Sequence, residues 1–336
     1  WYPKGESPIA AELVAEGRLP PVAERVGSEP MVVRGPDGVG RYGGSLYQNV
    51  FNQSLLRSWT GDMSSERLVR WSPAGYPIVP SVARSWESNE DKSVWRFHLR
   101  RGMRWSDGHP FTASDILFWW EVNTCRGENL WLYWMNVGGK RGEVVRIDDH
   151  TVEFRFPGPY GSFLEQLGKN AHVLPEHYLR PFHDILGDPQ TWEKGMEEFG
   201  VPTPRALYAK AQDFFNPEKP VLSAWTYKTY RTNPPYRFVR NPYFFGVDEA
   251  GNQLPYVDSI LVDIVTPELL AINASTGRLS FQTRLVNFDD YTLMMENQDK
   301  YGYDVLHWYQ GIRSMWSLFP NINRRPDPNK PMEVFK

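Results

Sequence analysis

The residues of this sequence that are best suited to acid–base or metal chemistry do not stand at the spacings that such chemistry needs. His172, His177 and His183 are the most closely spaced histidines, but no His-x-x-x-His pair lies beside a glutamate, as in zinc proteases. Cys125 is the single cysteine, which excludes an internal disulfide and a cysteine-based zinc site. The sequence therefore predicts no metal site.

The paired carboxylates do not form a convincing catalytic couple either. Asp148 and Asp149 are adjacent, as are Asp289 and Asp290, and adjacent residues of a strand point to opposite faces. A glycosidase instead holds two carboxylates across one cleft, about 5–10 Å apart. We interpret both pairs as solvated turn residues. The sequence also has no Gly-x-Ser-x-Gly elbow and no phosphate-binding P-loop.

Gly38-Val-Gly-Arg-Tyr-Gly43 has the glycine spacing of a dinucleotide-binding turn. That turn binds a pyrophosphate only when a helix begins directly after it. Here the next residues, Ser45–Val50, have a strand-like pattern and no helix cap. The segment is predicted to be a loop, and the sequence predicts no cofactor.

Composition narrows the classes of function. The chain has 336 residues and a net charge of −3, which provides no basic surface for nucleic acid. No apolar stretch approaches the 18 residues or so that cross a bilayer. Aromatic residues make up 15% of the chain, including 14 tryptophans. Most of them are expected in cores, and a smaller number could line a cleft that stacks on sugars or holds peptide side chains.

The hydrophobic patterns predict a mixture of strands and helices. Trp95, Phe97 and Leu99 alternate with polar residues, which predicts a half-buried strand over 94–100. A turn at 105–108 follows, and Thr112 begins a capping-box-like helix start. That helix is predicted to end near Cys125. Further strands are predicted at 45–50, 152–156 and 260–265, and helices around 161–167 and 203–215. The first 43 residues are predicted to be an irregular arm with one short helix capped by Ser7.

Three stretches together resemble family 5 of the extracellular solute-binding proteins, which serve ABC importers. The first contains the turn Trp105-Ser-Asp-Gly108 and the helix start Pro110-Phe-Thr-Ala113. The second is His172-Val-Leu-Pro-Glu-His-Tyr-Leu179, and the third joins Arg240-Asn-Pro-Tyr243 to Gly251-Asn-Gln-Leu-Pro-Tyr256. One departure is Ser280, three positions after Gly277, where the family usually has an acidic residue.

The resemblance implies a mixed α/β (α+β) fold of the class II periplasmic-binding-protein type, with an inserted subdomain in its first lobe. It implies an N-terminal arm over 1–40, an outer part of the lobe from 41–65 and 191–301, and the inserted subdomain over 66–190. Residues 302–336 would hold the hinge crossing and the start of a second lobe, with the crossing strand around 303–309. Most of that second lobe is expected to lie outside this sequence.

In this family a ligand lies between the two lobes, so the resemblance also suggests which residues face it. The loop after the first strand is one candidate, a loop of the inserted subdomain is another, and the segment ending Val221-Leu-Ser-Ala-Trp225 is a third. The predicted ligand-binding residues are Gln48, Asn49, Phe51, Asn52, Tyr133, Trp134 and Trp225. We expect Asn49, Phe51 and Trp225 to lie near one open face.

The resemblance implies binding without chemistry on the ligand, so the protein is not expected to be an enzyme. The ligand would be an oligosaccharide or an oligopeptide, with aromatic content slightly favouring the sugar, and the partners would be the permease subunits of an ABC importer. The protein is expected to be monomeric and periplasmic or extracellular, with or without a lipid anchor. The alternatives are a glycan-active enzyme with a Trp-rich cleft and a single-lobe sensor or scaffold.

Overall fold

The computed structural model describes residues 3, 5–127, 130–170, 173–229 and 234–307, with the backbone alone at 130 and 131. The predicted start of a second lobe and the last two residues of the predicted crossing strand lie outside these ranges. The helices are α1 (Pro8–Ala15), α2 (Val22–Val26), α3 (Gln53–Met63), α4 (Ala113–Thr124), α5 (Phe163–Asn170), α6 (Glu176–Leu179), α7 (Pro189–Phe199), α8 (Pro204–Ala211), α9 (Pro267–Ser275) and α10 (Tyr291–Tyr301).

Fourteen strands form within the described ranges. They are β1 (Met31–Val32), β2 (Ser45–Val50), β3 (Val69–Trp71), β4 (Ile78–Pro80), β5 (Ala83–Ser88), β6 (Val94–Leu99), β7 (Asn136–Val137), β8 (Lys140–Arg141), β9 (Glu143–Asp148), β10 (Thr151–Arg155), β11 (Trp225–Tyr227), β12 (Tyr236–Arg240), β13 (Gly246–Val247) and β14 (Ser259–Ile264). Short 3₁₀ helices span Leu130–Met135, Arg180–Phe182 and Phe288–Asp290. The prediction of a mixed α/β fold is confirmed.

The N-terminal segment is more ordered than the predicted irregular arm with one helix. Ser7 caps α1 as predicted, since its hydroxyl accepts the Ala10 N–H. A second helix, α2, and strand β1 follow, and β1 pairs in parallel with β13. The fully buried Arg25 of α2 donates hydrogen bonds to the Pro20 and Pro242 carbonyls. The arm therefore folds against the segment near residue 242, a long-range contact that local sequence patterns do not encode.

One four-stranded sheet is built from two distant parts of the chain. Its strand order is β11–β12–β14–β2, and only the β14–β2 pair is parallel. Helix α3 packs on this sheet through Leu56 and through Trp59, whose ring lies edge-on to Phe238 at 5.0 Å. Strand β2 follows the glycines at 38–43 directly, so the predicted loop, rather than a helix start, is confirmed there.

A second four-stranded sheet, entirely antiparallel, has the order β5–β6–β10–β9. Trp95, Phe97 and Leu99 are buried on one face of β6, as their alternation predicts. On β10 the opposite face is also closed, because Glu153 is buried between the guanidinium groups of Arg96 and Arg155. Alternation in the sequence thus identifies the core face of β10. It does not predict the ion pairs of Glu153 with Arg96 and Arg155, which cover the other face.

The turn and helix that follow β6 form as the sequence predicts. The Gly108 N–H donates to the Trp105 carbonyl at 2.8 Å, which closes the turn. Thr112 caps α4 in a full capping box, in which Asp115 accepts the Thr112 N–H at 2.9 Å. Asp115 also accepts the Glu176 N–H at 3.0 Å. This one buried carboxylate therefore joins the starts of α4 and α6.

Candidate functional site

The predicted ligand-facing loop follows the carboxyl end of β2 and leads into α3. Asn52 is exposed and caps α3, because its Oδ1 accepts the Leu55 N–H at 2.9 Å. Phe51 and Gln48 are half-buried. Gln48 pairs with Val262 across the parallel β2–β14 ladder. The loop is therefore anchored on both sides, by the sheet before it and by a capped helix after it.

Asn49 is only 3% exposed, and its groups are held by contacts within the lobe. Its backbone N–H donates to Gln282 Oε1 at 3.1 Å, and its carbonyl accepts from Gln282 Nε2 at the same distance. Its side-chain Oδ1 accepts from Asn273 Nδ2 at 2.9 Å, which fastens α9 to β2. Asn49 thus fixes the position of the loop, while its side chain is directed to protein rather than to an open face.

Strand β2 is an edge of its sheet, and the segment from 280 to 284 covers that edge. The Ser280 N–H donates to the Tyr47 carbonyl at 3.0 Å, and the Ser280 hydroxyl accepts the Tyr47 N–H at 3.1 Å. Ser280 stands where the family usually has an acidic residue, and its oxygen still provides the acceptor for this strand. Backbone N–H and carbonyl groups on this edge of β2 would otherwise be open to pairing with another strand. They are satisfied by the Ser280 N–H, the Ser280 hydroxyl and the Gln282 side-chain amide.

The neighbouring strand β14 carries an ionisable group. Asp263 of β14 stands opposite Asn49 in the parallel ladder. Burial raises the pKa of Asp263 above its usual value, because the half-buried carboxylate loses hydration. A ligand hydroxyl or amide that reached this carboxylate would replace part of the lost hydration.

Tyr133 and Trp134 are neighbours with opposite environments in the 3₁₀ helix Leu130–Met135. Tyr133 is 63% exposed, whereas Trp134 is 4% exposed. The Trp134 ring lies 6.1 Å from that of Trp119 and 6.2 Å from that of Phe163, so it packs inside the core of the second sheet. Of the two predicted contacts in this loop, only Tyr133 offers a ring face to the surface.

The expectation that Trp225 shares one open face with Asn49 and Phe51 is wrong. Trp225 is 9% exposed and packs into the core beneath the first sheet. Trp225 belongs to β11, which is the edge of the sheet opposite β2, and it pairs there with Arg240 of β12.

The sheet register places Trp225 at the other end of β2 as well. Val239, next to Arg240, pairs with Ser259, and Ser259 pairs with Ser45. Trp225 therefore lies level with residue 44, about seven residues or 20 Å along the strand direction from Phe51. The two side chains belong to opposite ends and opposite edges of one sheet.

The carboxylate pairs do not form acid–base couples. Asp148 ends β9 and Asp149 begins the turn to β10, and both are exposed, which confirms the turn prediction. Asp289 and Asp290 lie in the 3₁₀ helix Phe288–Asp290. Across the described ranges, no group of three or more His, Cys, Asp or Glu side chains is arranged to hold a metal ion. No helix of the described part is long and apolar enough to cross a membrane.

Sequence reasoning missed the residues that support the loop, namely Asn273, Ser280 and Gln282. In sequence, Ser280 stands out only as a departure from the family, and nothing local marks Gln282 as the partner of a strand 233 residues earlier. Recognising β2 as an edge strand would have been the available signal, because an edge strand requires something to cover it.

Comparisons with known proteins agree with this fold. The family model described as bacterial extracellular solute-binding proteins, family 5 middle, matches residues 77–330. The periplasmic alpha-galactoside-binding protein of Rhizobium meliloti is 30% identical over 277 residues, which cover 75% of this chain and 38% of that protein. The periplasmic oligopeptide-binding protein OppA of Escherichia coli is 36% identical over 108 residues, covering 28% of this chain and 20% of that protein.

Two solved structures extend the similarity over most of the chain. An oligopeptide-binding protein OppA has a TM-score of 0.82 and 38% identity, covering 90% of this chain and 49% of that one. The binding protein MelB of Agrobacterium fabrum, in complex with stachyose, has a TM-score of 0.67 and 28% identity, covering 82% and 43%. The chain spans less than half of the length of these relatives, all of which are named as binding proteins. It belongs to family 5 of the bacterial extracellular solute-binding proteins.

Proposed function

We propose that this chain is the first lobe of an extracytoplasmic solute-binding protein that captures an oligosaccharide or an oligopeptide for an ABC importer. The observation that carries this proposal is the structural match to an oligopeptide-binding protein over 90% of the chain. That match covers 49% of the relative's chain, which is the relationship expected of one lobe of a two-lobed protein.

In the proposed mechanism the ligand lies between this lobe and a second one, and the lobes close around it. The loop at Phe51 and Asn52 is suited to one wall, because the β2 edge and the α3 cap hold it rigidly. Tyr133 provides an exposed aromatic ring on the inserted subdomain. Closure removes the ligand from water and presents a closed form to the permease subunits, without any change in the ligand's bonds.

Both ligand classes remain in the proposal because each has support. The alpha-galactoside-binding and stachyose-bound relatives favour a sugar, whereas the oligopeptide-binding relatives favour a peptide. An exposed tyrosine ring suits either class, since it stacks on a sugar face or packs against a peptide side chain. We propose a location outside the cytoplasm, as the relatives described as periplasmic suggest, and a monomeric state.

Calorimetry on the full-length gene product and on this 336-residue chain tests the proposal. Stachyose, a simple alpha-galactoside and a set of short peptides would be titrated into both proteins. We expect the full-length protein to bind one class tightly and to release it chemically unchanged. We expect the single lobe to bind the same ligand about a thousandfold more weakly, as the loss of about 4 kcal/mol of contacts would cause. Equal affinity would contradict a shared cleft, and cleavage of the ligand would contradict a pure binding role.

A further inference from the structure

A cavity lies within the described part of this chain. It has a volume of about 350 Å³ and lies where α4, α8 and the segments at 64–66 and 214–222 meet. Its size is at the lower end of the range for small-molecule sites. Apolar side chains such as Trp119 and Leu222 form part of its wall.

Lys219 is a half-buried cation on this wall. Its ammonium donates to the Gln212 carbonyl at 3.0 Å and lies 4.5 Å from the centre of the Phe214 ring. An ammonium has three donors, and in the described part of the chain this one has a single hydrogen-bond acceptor and no carboxylate in ion-pair contact. Burial lowers the pKa of Lys219 to about 8, although the more distant charge of Asp213 opposes that shift.

The wall also carries hydroxyl and amide groups, each of which can donate as well as accept a hydrogen bond. The hydroxyl of Tyr208 is buried and finds no hydrogen-bond partner among the described residues. Ser64 and Ser65 add two more hydroxyl groups. The wall also contains the acidic Glu66, which accepts a hydrogen bond from the Ser81 hydroxyl at 3.3 Å. Burial raises the pKa of Glu66 to about 7, although the charges of Arg70 and Arg67 oppose that shift.

A half-buried cation beside hydroxyl groups and apolar walls favours an anion with an apolar body. We propose that this cavity binds the carboxylate of a small organic ligand, with the Lys219 ammonium as its counter-ion. The carboxylate would supply acceptors to the ammonium and to the Tyr208 hydroxyl, and the apolar body would contact Trp119 and Leu222. The proposal does not depend on transport or on a second lobe, because all of these groups lie within this chain.

The carboxylate could belong to a free acid or to the C-terminus of a peptide, and two probes separate these sources. 4-Methylpentanoate represents the free acid, and N-acetyl-leucine represents a peptide C-terminus. Each is compared with its neutral amide in calorimetric titrations of the 336-residue chain. We expect at least one acid to bind with a Kd of about 1 mM or lower, and its amide to bind about ten- to a hundredfold more weakly.

Variants connect the binding to the cavity. Lys219→Met keeps most of the side-chain volume and removes the charge, so we expect the preference for acid over amide to disappear while the fold is kept. Lys210→Met, at an exposed position of α8, is the matched control and should bind like the wild type. Tyr208→Phe should weaken binding of the acid about threefold to tenfold. Equal binding of acid and amide, no binding of either acid up to about 10 mM, or an unchanged preference in Lys219→Met would overturn the proposal.

Discussion

The side-chain amide of Gln282 forms hydrogen bonds with both backbone groups of Asn49, in the way that a neighbouring strand would. The two residues are 233 positions apart, and the contact closes the edge of the sheet beside the candidate ligand loop. It therefore connects the stability of the lobe with the geometry of the site, because the same bonds protect the edge strand β2 and orient the loop at Phe51.

Replacing Gln282 with leucine should destabilise the lobe by about 1–3 kcal/mol, because the Asn49 N–H and carbonyl would lose their partners in a mostly buried setting. Urea unfolding of the variant and the wild type measures this difference. Gln190→Leu, at an exposed position of α7, is the matched control and should change the free energy of unfolding by less than about 0.5 kcal/mol. Equal effects of the two substitutions would show that the Gln282 amide does not support β2.

Gly27 and Gly38 both have a positive φ angle, but they differ in how closely other atoms approach them. Their φ angles are 83° and 81°, but a Cβ on Gly27 would lie 2.7 Å from the Gly102 carbonyl carbon, whereas one on Gly38 would meet nothing within 4 Å. Gly38→Ala should cost about 1 kcal/mol, from strain alone. Gly27→Ala should cost at least about 2 kcal/mol more, since the N-terminal segment at Gly27 must move away from the backbone at 101–102. Thermal unfolding of both variants measures the difference, and similar melting temperatures would contradict the close contact.

Asp115 should make stability depend on pH in a defined direction. Burial raises the pKa of Asp115 to about 6, despite the hydrogen bonds from the Thr112 and Glu176 N–H groups. Because the pKa in the folded state lies above the ordinary value of 3.8, the protonated side chain stabilises the fold. This contribution is fully present below about pH 4 and is lost as the pH rises through 6.

Asp115→Asn isolates this effect because the amide does not titrate. The stability of the wild type minus that of the variant should fall by about 2 kcal/mol between pH 4 and pH 7. Urea unfolding across that range provides the measurement, and other titrating groups largely cancel in the difference. A difference that rises with pH would mean that the hydrogen bonds outweigh burial and that the pKa of Asp115 is lowered instead.

The sequence predicts local structure well where one short pattern decides it. Alternation at 95–99 identifies the buried face of β6, and the Thr112–Asp115 spacing identifies the start of α4. In both cases the interacting residues are neighbours in the chain, so propensity and patterning act on the same segment. The family resemblance adds the fold class, because its motifs fix turns that occur in one architecture.

The candidate site is less predictable because it depends on register and on distant partners. Trp225 resembles a cleft residue in sequence, but three strand pairings determine that it lies level with residue 44 and faces the core. Asn49 resembles a ligand-binding polar residue, but Gln282 and Asn273 use its hydrogen-bonding groups. Neither outcome follows from local composition, since both depend on which segments meet after folding.

Tyr133 and Trp134 provide the sharpest test of the proposed ligand wall, because they are adjacent in the chain but one ring is exposed and the other lies in the core. In the full-length protein, Tyr133→Ala should leave stability almost unchanged, since the side chain is 63% exposed. If the ring contacts ligand, the same change should weaken ligand binding about tenfold. Trp134→Ala should cost about 3–5 kcal/mol of folding stability, because it leaves a cavity against Trp119 and Phe163. Calorimetry measures the first effect and urea unfolding the second. Unchanged ligand affinity in Tyr133→Ala would remove the loop at 130–135 from the binding site, whereas a stable Trp134→Ala would contradict the core packing itself.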